Sequence, residues 1–277
     1  PMTTPTDLDL VDTHTARSAV SRLAAEAAAT DSLPPRPPAL DWRLPLREAV
    51  LRAFAAEIAT AQEMTAVAGA RPALAVHGFR KALRRAQAVV RLLRPSLPRP
   101  VWNEAWRTLG AAARRTSELR DAEVLPTALR RVECKGARLE VLELDLCAHR
   151  DQNRASGEAE ARLRQGVAQL QRLPELLDGS LPAELPRTAL QKGLVDIYRR
   201  AWKAWETAQK RPNHALIHDW RKRCKDLRHA AELLLSDHAK GDARRWVEQL
   251  APLTRELGAV TDFIALRVWA RGGSGTS

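Results

Sequence analysis

A histidine followed by arginine and lysine at helical spacing occurs twice in this chain. His77, Arg80, Lys81 and Arg84 recur as His218, Arg221, Lys222 and Lys225, at an offset of 141 residues. These residue types bind anions. A guanidinium spans two oxygens of neighbouring phosphoryl groups, a lysine supplies a mobile point charge, and a histidine adds a hydrogen bond that gains charge as pH falls. The same offset pairs Phe79 with Trp220, Leu92 with Leu233, Leu93 with Leu234, Leu109 with Leu250 and Asp121 with Asp262. A register shared over some fifty residues predicts an internal duplication.

On a helical wheel, Arg80, Lys81, Arg84 and Arg91 lie within about 60° of His77, opposite an apolar stripe of Val76, Phe79, Leu83, Ala86, Val90 and Leu93. In the second copy His218, Arg221, Lys222, Lys225 and His229 oppose Ile217, Trp220, Cys224, Leu227, Ala231 and Leu234. Each copy therefore reads as a helix with one face in a core and a ridge of cations outside it. Residues 71–94 add Arg71, Arg85 and Arg94 and contain no acidic residue, whereas the second copy is diluted by Asp219, Asp226, Glu232 and Asp237. Like charges at this spacing repel by a few tenths of a kcal/mol per pair. A solvated face would relieve that with glutamate, so the first copy points to a polyanionic ligand.

The rest of the chain must position these two helices. Alanine, leucine and arginine dominate, and no segment alternates with period two, so the expected class is all-α. The pattern predicts helices near 13–30, 45–68, 72–94, 100–119, 122–150, 154–178, 187–209, 213–236, 241–257 and 259–270. Pro72 and Pro212 fall at first-turn positions, where proline is tolerated. Long helices joined by short loops favour antiparallel bundles, and the duplication predicts two of them related by a pseudo-two-fold axis. Residues 1–40 read as a separate segment, a short helix and the proline-rich LPPRPPAL linker. Residues 41–270 read as the helical domain, with halves at 41–180 and 186–270, and residues 271–277 as an appended linker.

With 277 residues, 45 Lys plus Arg against 33 Asp plus Glu and a net charge of +12, the chain is large enough for a substantial core and calls for an anionic partner. Cys134, Cys147 and Cys224 show no CxxC spacing and read as reduced thiols of a cytosolic protein. No apolar run approaches the ~20 residues of a membrane span.

VHGFRKALRRAQAVVRLLRP and IHDWRKRCKDLRHAAELLL resemble the two signature helices of CHAD domains. SELRDAEVL, LGAVTDFIALR and IYRRAWKAWETA resemble further segments of that family, in matching order over about residues 42–270. The resemblance implies a pseudo-symmetric helical fold that binds inorganic polyphosphate, in some members at cytoplasmic polyphosphate granules. Carried across, the anion contacts are His77, Arg80, Arg84 and Arg85 with His218, Arg221, Lys222, Lys225 and Arg228. Tyr198, Arg199 and Lys203 are further candidates on the preceding helix. Gln87 stands where the family pattern has arginine, and Thr261 where it has a basic residue or histidine before Asp262.

His77 and His218 read equally as phosphate ligands or as partners of Asp121 and Asp262, which themselves read as structural. The sequence offers no HExxH, no paired-aspartate motif and no phosphate-binding glycine loop, so a non-catalytic module without a cofactor is expected. The competing readings are general nucleic-acid contact through the phosphate backbone and a scaffold that recruits a protein through residues 1–40. Phe79, Trp102, Trp106, Trp220 and Trp246 sit at core-like spacing, which does not favour base recognition.

Overall fold

The computed structural model describes residues 40–132, 136–235 and 240–272. The helix expected at 13–30, most of the proline-rich linker, Cys134 and residues 273–277 lie outside the described residues. All regular structure among the described residues is helical: α1 (Leu46–Val67), α2 (Pro72–Leu92), α3 (Arg99–Arg115), α4 (Ser117–Arg130), α5 (Ala137–Ala155), α6 (Glu158–Leu170), α7 (Leu173–Asp178), α8 (Arg187–Lys210), α9 (His214–Leu235) and α10 (Gly241–Gly272), with a 3₁₀ turn at Arg94–Ser96. The two histidine-bearing segments are α2 and α9.

Several boundaries differ from the periodicity, among them the helix expected over 154–178, which divides into α6 and α7 at residues 171–172. The helix expected to reach 119 ends at Arg115, because Thr116 leaves helical geometry and turns its hydroxyl back onto the Ala113 carbonyl at 3.1 Å. The segment expected as one helix over 122–150 divides between α4 and α5, and the next helix begins only after Gly157, which adopts a left-handed φ of 66°. Conversely, α10 runs unbroken through Gly258, where a break was expected. An isolated glycine weakens a helix without ending it when tertiary packing holds both sides.

Shifted by 141 residues, the limits of α1, α2 and the α3–α4 pair fall within two residues of those of α8, α9 and α10. α2 buries the stripe read from its sequence, with Phe79, Ala86, Val90 and Leu93 wholly enclosed. It packs on α1, α3, α8 and α9, and α9 packs on α8 and α10, so α2 and α9 lie in contact at the centre of the domain. One apolar cluster runs from α1 through α2, α3, α6 and α7 to α8, α9 and the first half of α10. A smaller one joins α4, α5 and the end of α10 around Leu125, Leu129, Leu146 and Leu266. The Leu40 amide donates to the Leu233 carbonyl at 3.0 Å, tying the start of the domain to the end of α9.

Gly193 sets how closely α8 approaches α2. A Cβ there would run into the Leu92 carbonyl, and backbone cannot swing aside as a flexible side chain would. Gly193→Ala is therefore expected to cost about 1–3 kcal/mol or more through overpacking, measured as a lower urea midpoint with unchanged slope.

Candidate functional site

Because α2 and α9 pack on each other, their cationic stripes converge. Arg80 feels the charges of Arg84, Arg120 and Arg221, and Lys225 those of Arg84, Arg221 and Arg120. The ridges are not outward and solvated as the wheel suggested. The Arg221 side chain is 11% exposed, and burial is the largest influence on Arg80, Arg84, Arg221 and Lys225 alike. Burial together with the neighbouring cations pushes Arg80 and Arg221 down to about 10, and the Lys225 ammonium down to about 6.

The counter-charge is sparse. Arg120, on α4, donates through Nη1 to Asp121 Oδ1 at 2.9 Å and through Nη2 to Asp262 Oδ1 at 2.7 Å, and so joins the two offset-related aspartates in one bridge. Burial opposes its charge, but the two carboxylates more than offset that and raise its pKa. Arg221 lies 3.7 Å from the same Asp262 oxygen, and its buried Nε–H has no acceptor. Arg80 donates to the Ala113 carbonyl at 2.6 Å and to Thr116 Oγ1 at 3.2 Å, which fastens it to the end of α3. A Cβ added at Gly258 would lie 3.4 Å from the Arg221 guanidinium, at ordinary van der Waals distance.

Other cations of the two ridges have carboxyl groups close by within the fold. Arg91 reaches Asp226 at 3.0 Å, close but not aligned as a hydrogen bond, and lies over the Trp106 ring at 4.1 Å from its centroid. Asp226 is raised by burial, against the pull of Arg91, Arg84 and Arg223. Arg85 lies 3.9 Å from Glu57, whose carboxyl burial pushes up to about 7 despite Arg85 and Lys81. Arg228 donates to Glu232 at 2.7 Å and to Thr254 at 3.2 Å. Lys81 is lowered by burial and by Arg85 and Arg228. Its neighbourhood on the flank also contains Glu57 and Glu232, so it lies apart from the central group.

At the rim, His77, His218 and Lys222 are exposed. His218 is lowered by burial and then by Lys222, Arg221, Lys225 and Arg120, all cations. Asp121 and Asp262 are both engaged by Arg120. On α8, Tyr198 and Arg199 point outward, and the Tyr198 ring stacks on Trp202 at 6.3 Å. Lys203 lines a cleft of about 230 Å³ with Arg200, Asp219 and Arg223. Arg200, absent from the residues singled out by sequence, is the α8 cation coupled to Arg223, Arg94 and Asp226.

Sequence reasoning also missed Arg120. Its signal was the Arg-Asp pair in SELRDAEVL, read only for its aspartate. The offset mate of Arg120 is Thr261, whose hydroxyl turns back to the Leu257 and Gly258 carbonyls at 3.1 and 3.0 Å. One arginine thus serves both halves. What remains is a group of cations from α2, α4 and α9, partly out of water and answered mainly by Asp121, Asp226 and Asp262. Such a group can bind a multivalent anion. Among the described residues no cluster of His, Cys, Asp and Glu is suited to a metal ion, and no helix is long and apolar enough to cross a membrane.

The model of the CHAD domain matches residues 48–271. No curated protein and no solved structure matches the chain.

Two stability effects of opposite sign follow. Asp226→Asn leaves Arg91 buried beside a neutral amide and is expected to cost about 3–5 kcal/mol in denaturant unfolding. At Lys225 the folded pKa, about 6, lies below the ordinary value of 10.5. Across that window the unfolded chain binds the extra proton, so stability rises with pH and is lost as pH falls toward 6. Lys225→Met is expected to raise the ligand-free thermal midpoint at pH 7 by roughly 3–6 °C and to flatten its pH dependence.

Proposed function

The chain belongs to the CHAD domain family, and from that premise we propose that it is a non-catalytic module that binds inorganic polyphosphate in the groove between α2 and α9. The observation that carries this reading is the convergence of Arg84, Arg120, Arg221 and Lys225 from α2, α4 and α9 around carboxylates that Arg120 already bridges, where burial first and the neighbouring cations next push the Lys225 ammonium down to about 6. A fold maintains such a cluster at a cost to its own stability, and a bound polyanion removes that cost. Arg84, Arg120, Arg221 and Lys225 form the floor of the groove, and His77, His218 and Lys222 its rim. Arg80 contributes charge from its anchored position, and Arg200 with Lys203 extends the basic track toward α8. A linear polymer of phosphoryl groups uses such a track along its length, and release of its condensed counter-ions adds an entropic, salt-sensitive term.

A non-catalytic role is supported by the carboxylates. Asp121 Oδ1 and Asp262 Oδ1 each accept a hydrogen bond from the Arg120 guanidinium, so both carboxylates are engaged within the fold. Such a module would act by attaching itself, or whatever it is joined to, to polyphosphate granules in the cytoplasm. The second reading is single-stranded nucleic acid, favoured by one observation: Tyr198 and Trp202 are stacked and exposed beside Arg199 and Lys203.

Titration with long-chain polyphosphate at near-physiological salt, with single-stranded and duplex DNA as competitors, separates the two. Tight polyphosphate binding that resists both DNAs is expected, with a loss of at least a hundredfold when Arg84, Arg120, Arg221 and Lys225 are changed together to alanine. The slope of log affinity against log salt should fall by about one for each phosphate contact removed. DNA binding of equal strength, or no loss in the variant, refutes the assignment. A pH series adds an independent check. Polyphosphate favours the charged ammonium, so the complex takes up a proton and affinity is expected to rise roughly ten- to hundredfold from pH 8 to pH 6. Lys225→Arg, charged throughout, should flatten most of that rise and leave the smaller share of His218.

A further inference from the structure

Among the described residues, Val141, Leu144, Val260, Phe263 and Val268 are 45–70% exposed, and all five lie on α5 and α10. These helices meet α4 around the smaller apolar cluster, which encloses only Leu125, Ala128, Leu129, Leu146 and Leu266. So thin a core, flanked by exposed valine, leucine and phenylalanine, is the usual mark of an interaction surface. The two halves of the chain show how such a face is closed. Leu119 and Ala122 on α4 are 4% and 2% exposed, whereas their mates at the 141-residue offset, Val260 and Phe263 on α10, are 45% and 50% exposed. α4 has α5 packed along it, and no described helix lies in the corresponding place on α10.

The charges identify the occupant. Around Val141 and Leu144, α5 carries Glu140, Glu143 and Asp145 against Arg138, an acidic stretch in a chain of net charge +12. Glu143 is held by Arg130 at 2.7 Å, while Glu140 and Asp145 are exposed. Beside Phe263 and Val268, α10 presents exposed Arg267 and Arg271, and its Asp262 is occupied by Arg120. An acid-flanked apolar stripe and a base-flanked one fit each other, yet within one chain both helices are turned inward on α4 and cannot cover one another's outer faces.

We infer that these faces are covered by a second copy of this chain, with α5 of each protomer lying along α10 of the other about a two-fold axis. The pairing is isologous, so the contact forms twice, and closure limits the assembly to a dimer. It leaves the groove between α2 and α9 open in each protomer and gives the dimer two of them.

Sedimentation velocity of the full chain over a concentration series tests this. A dimer is expected, weakened at least tenfold by Leu144→Glu and by Phe263→Glu, both exposed positions whose retained helicity and thermal midpoint confirm folding. Glu140→Arg and Arg267→Glu should each weaken association, and the two combined in one chain should restore it. A monomer at all concentrations, a dimer indifferent to Leu144→Glu and Phe263→Glu, or a charge-swapped double variant weaker than either single one overturns the pairing.

Discussion

The contact between α2 and α9 is the constraint on which the rest depends. Their apolar stripes must enter the core, and that orientation turns the flanking cationic stripes toward each other instead of toward water. Each ridge alone would be an ordinary charged face, repelling itself by tenths of a kcal/mol. Brought together and partly desolvated, the same side chains lose hydration and gain like-charged neighbours, which is why Lys225 sheds its proton so readily. The site is an electrostatic strain that the core packing imposes and a polyanion can relieve.

The fold spends its carboxylates selectively. Glu57, Asp226 and Glu232 lie near Arg85, Arg91 and Arg228 on the outer parts of the two helices. These pairs make burial of the flanks tolerable, because an unpaired charge there would cost several kcal/mol. The centre is treated differently. Arg120 draws Asp121 and Asp262 to itself, so both carboxylates are present yet largely consumed by one guanidinium. Arg84 and Arg221 are left with residual positive charge, and the buried Lys225 beside them gives up its proton near pH 6.

The two offset-related segments differ at the point where they meet. Thr261 stands where the first half has Arg120, and its hydroxyl satisfies its own helix instead of reaching across. Gly258 on the same helix lies close to the Arg221 guanidinium. One segment supplies the bridging arginine and the other a threonine, so the two offset-related segments contribute unequally.

The repeated His-Arg-Lys spacing, its opposed apolar stripe, the all-helical class and the family were legible in the sequence, because helical periodicity and a 141-residue register are local or one-dimensional properties. The helix limits near Thr116, Gly157 and Gly258 were less so, since a glycine or threonine ends a helix only where packing does not hold it. Which cations stay available was decided by tertiary structure alone. Arg91 looks no different from Arg84 on a helical wheel, while Arg85 and Arg228 lie about 80° from their histidines, and it is the positions of Glu57 and Asp226 on facing helices that separate Arg85 and Arg91 from Arg84. Arg120 and Arg200 carry no repeat signal of their own and enter the basic track because α4 and α8 pack beside α2 and α9. Charge type is written residue by residue, but desolvation and pairing depend on neighbours far apart in sequence, and these decide what a buried cation can do.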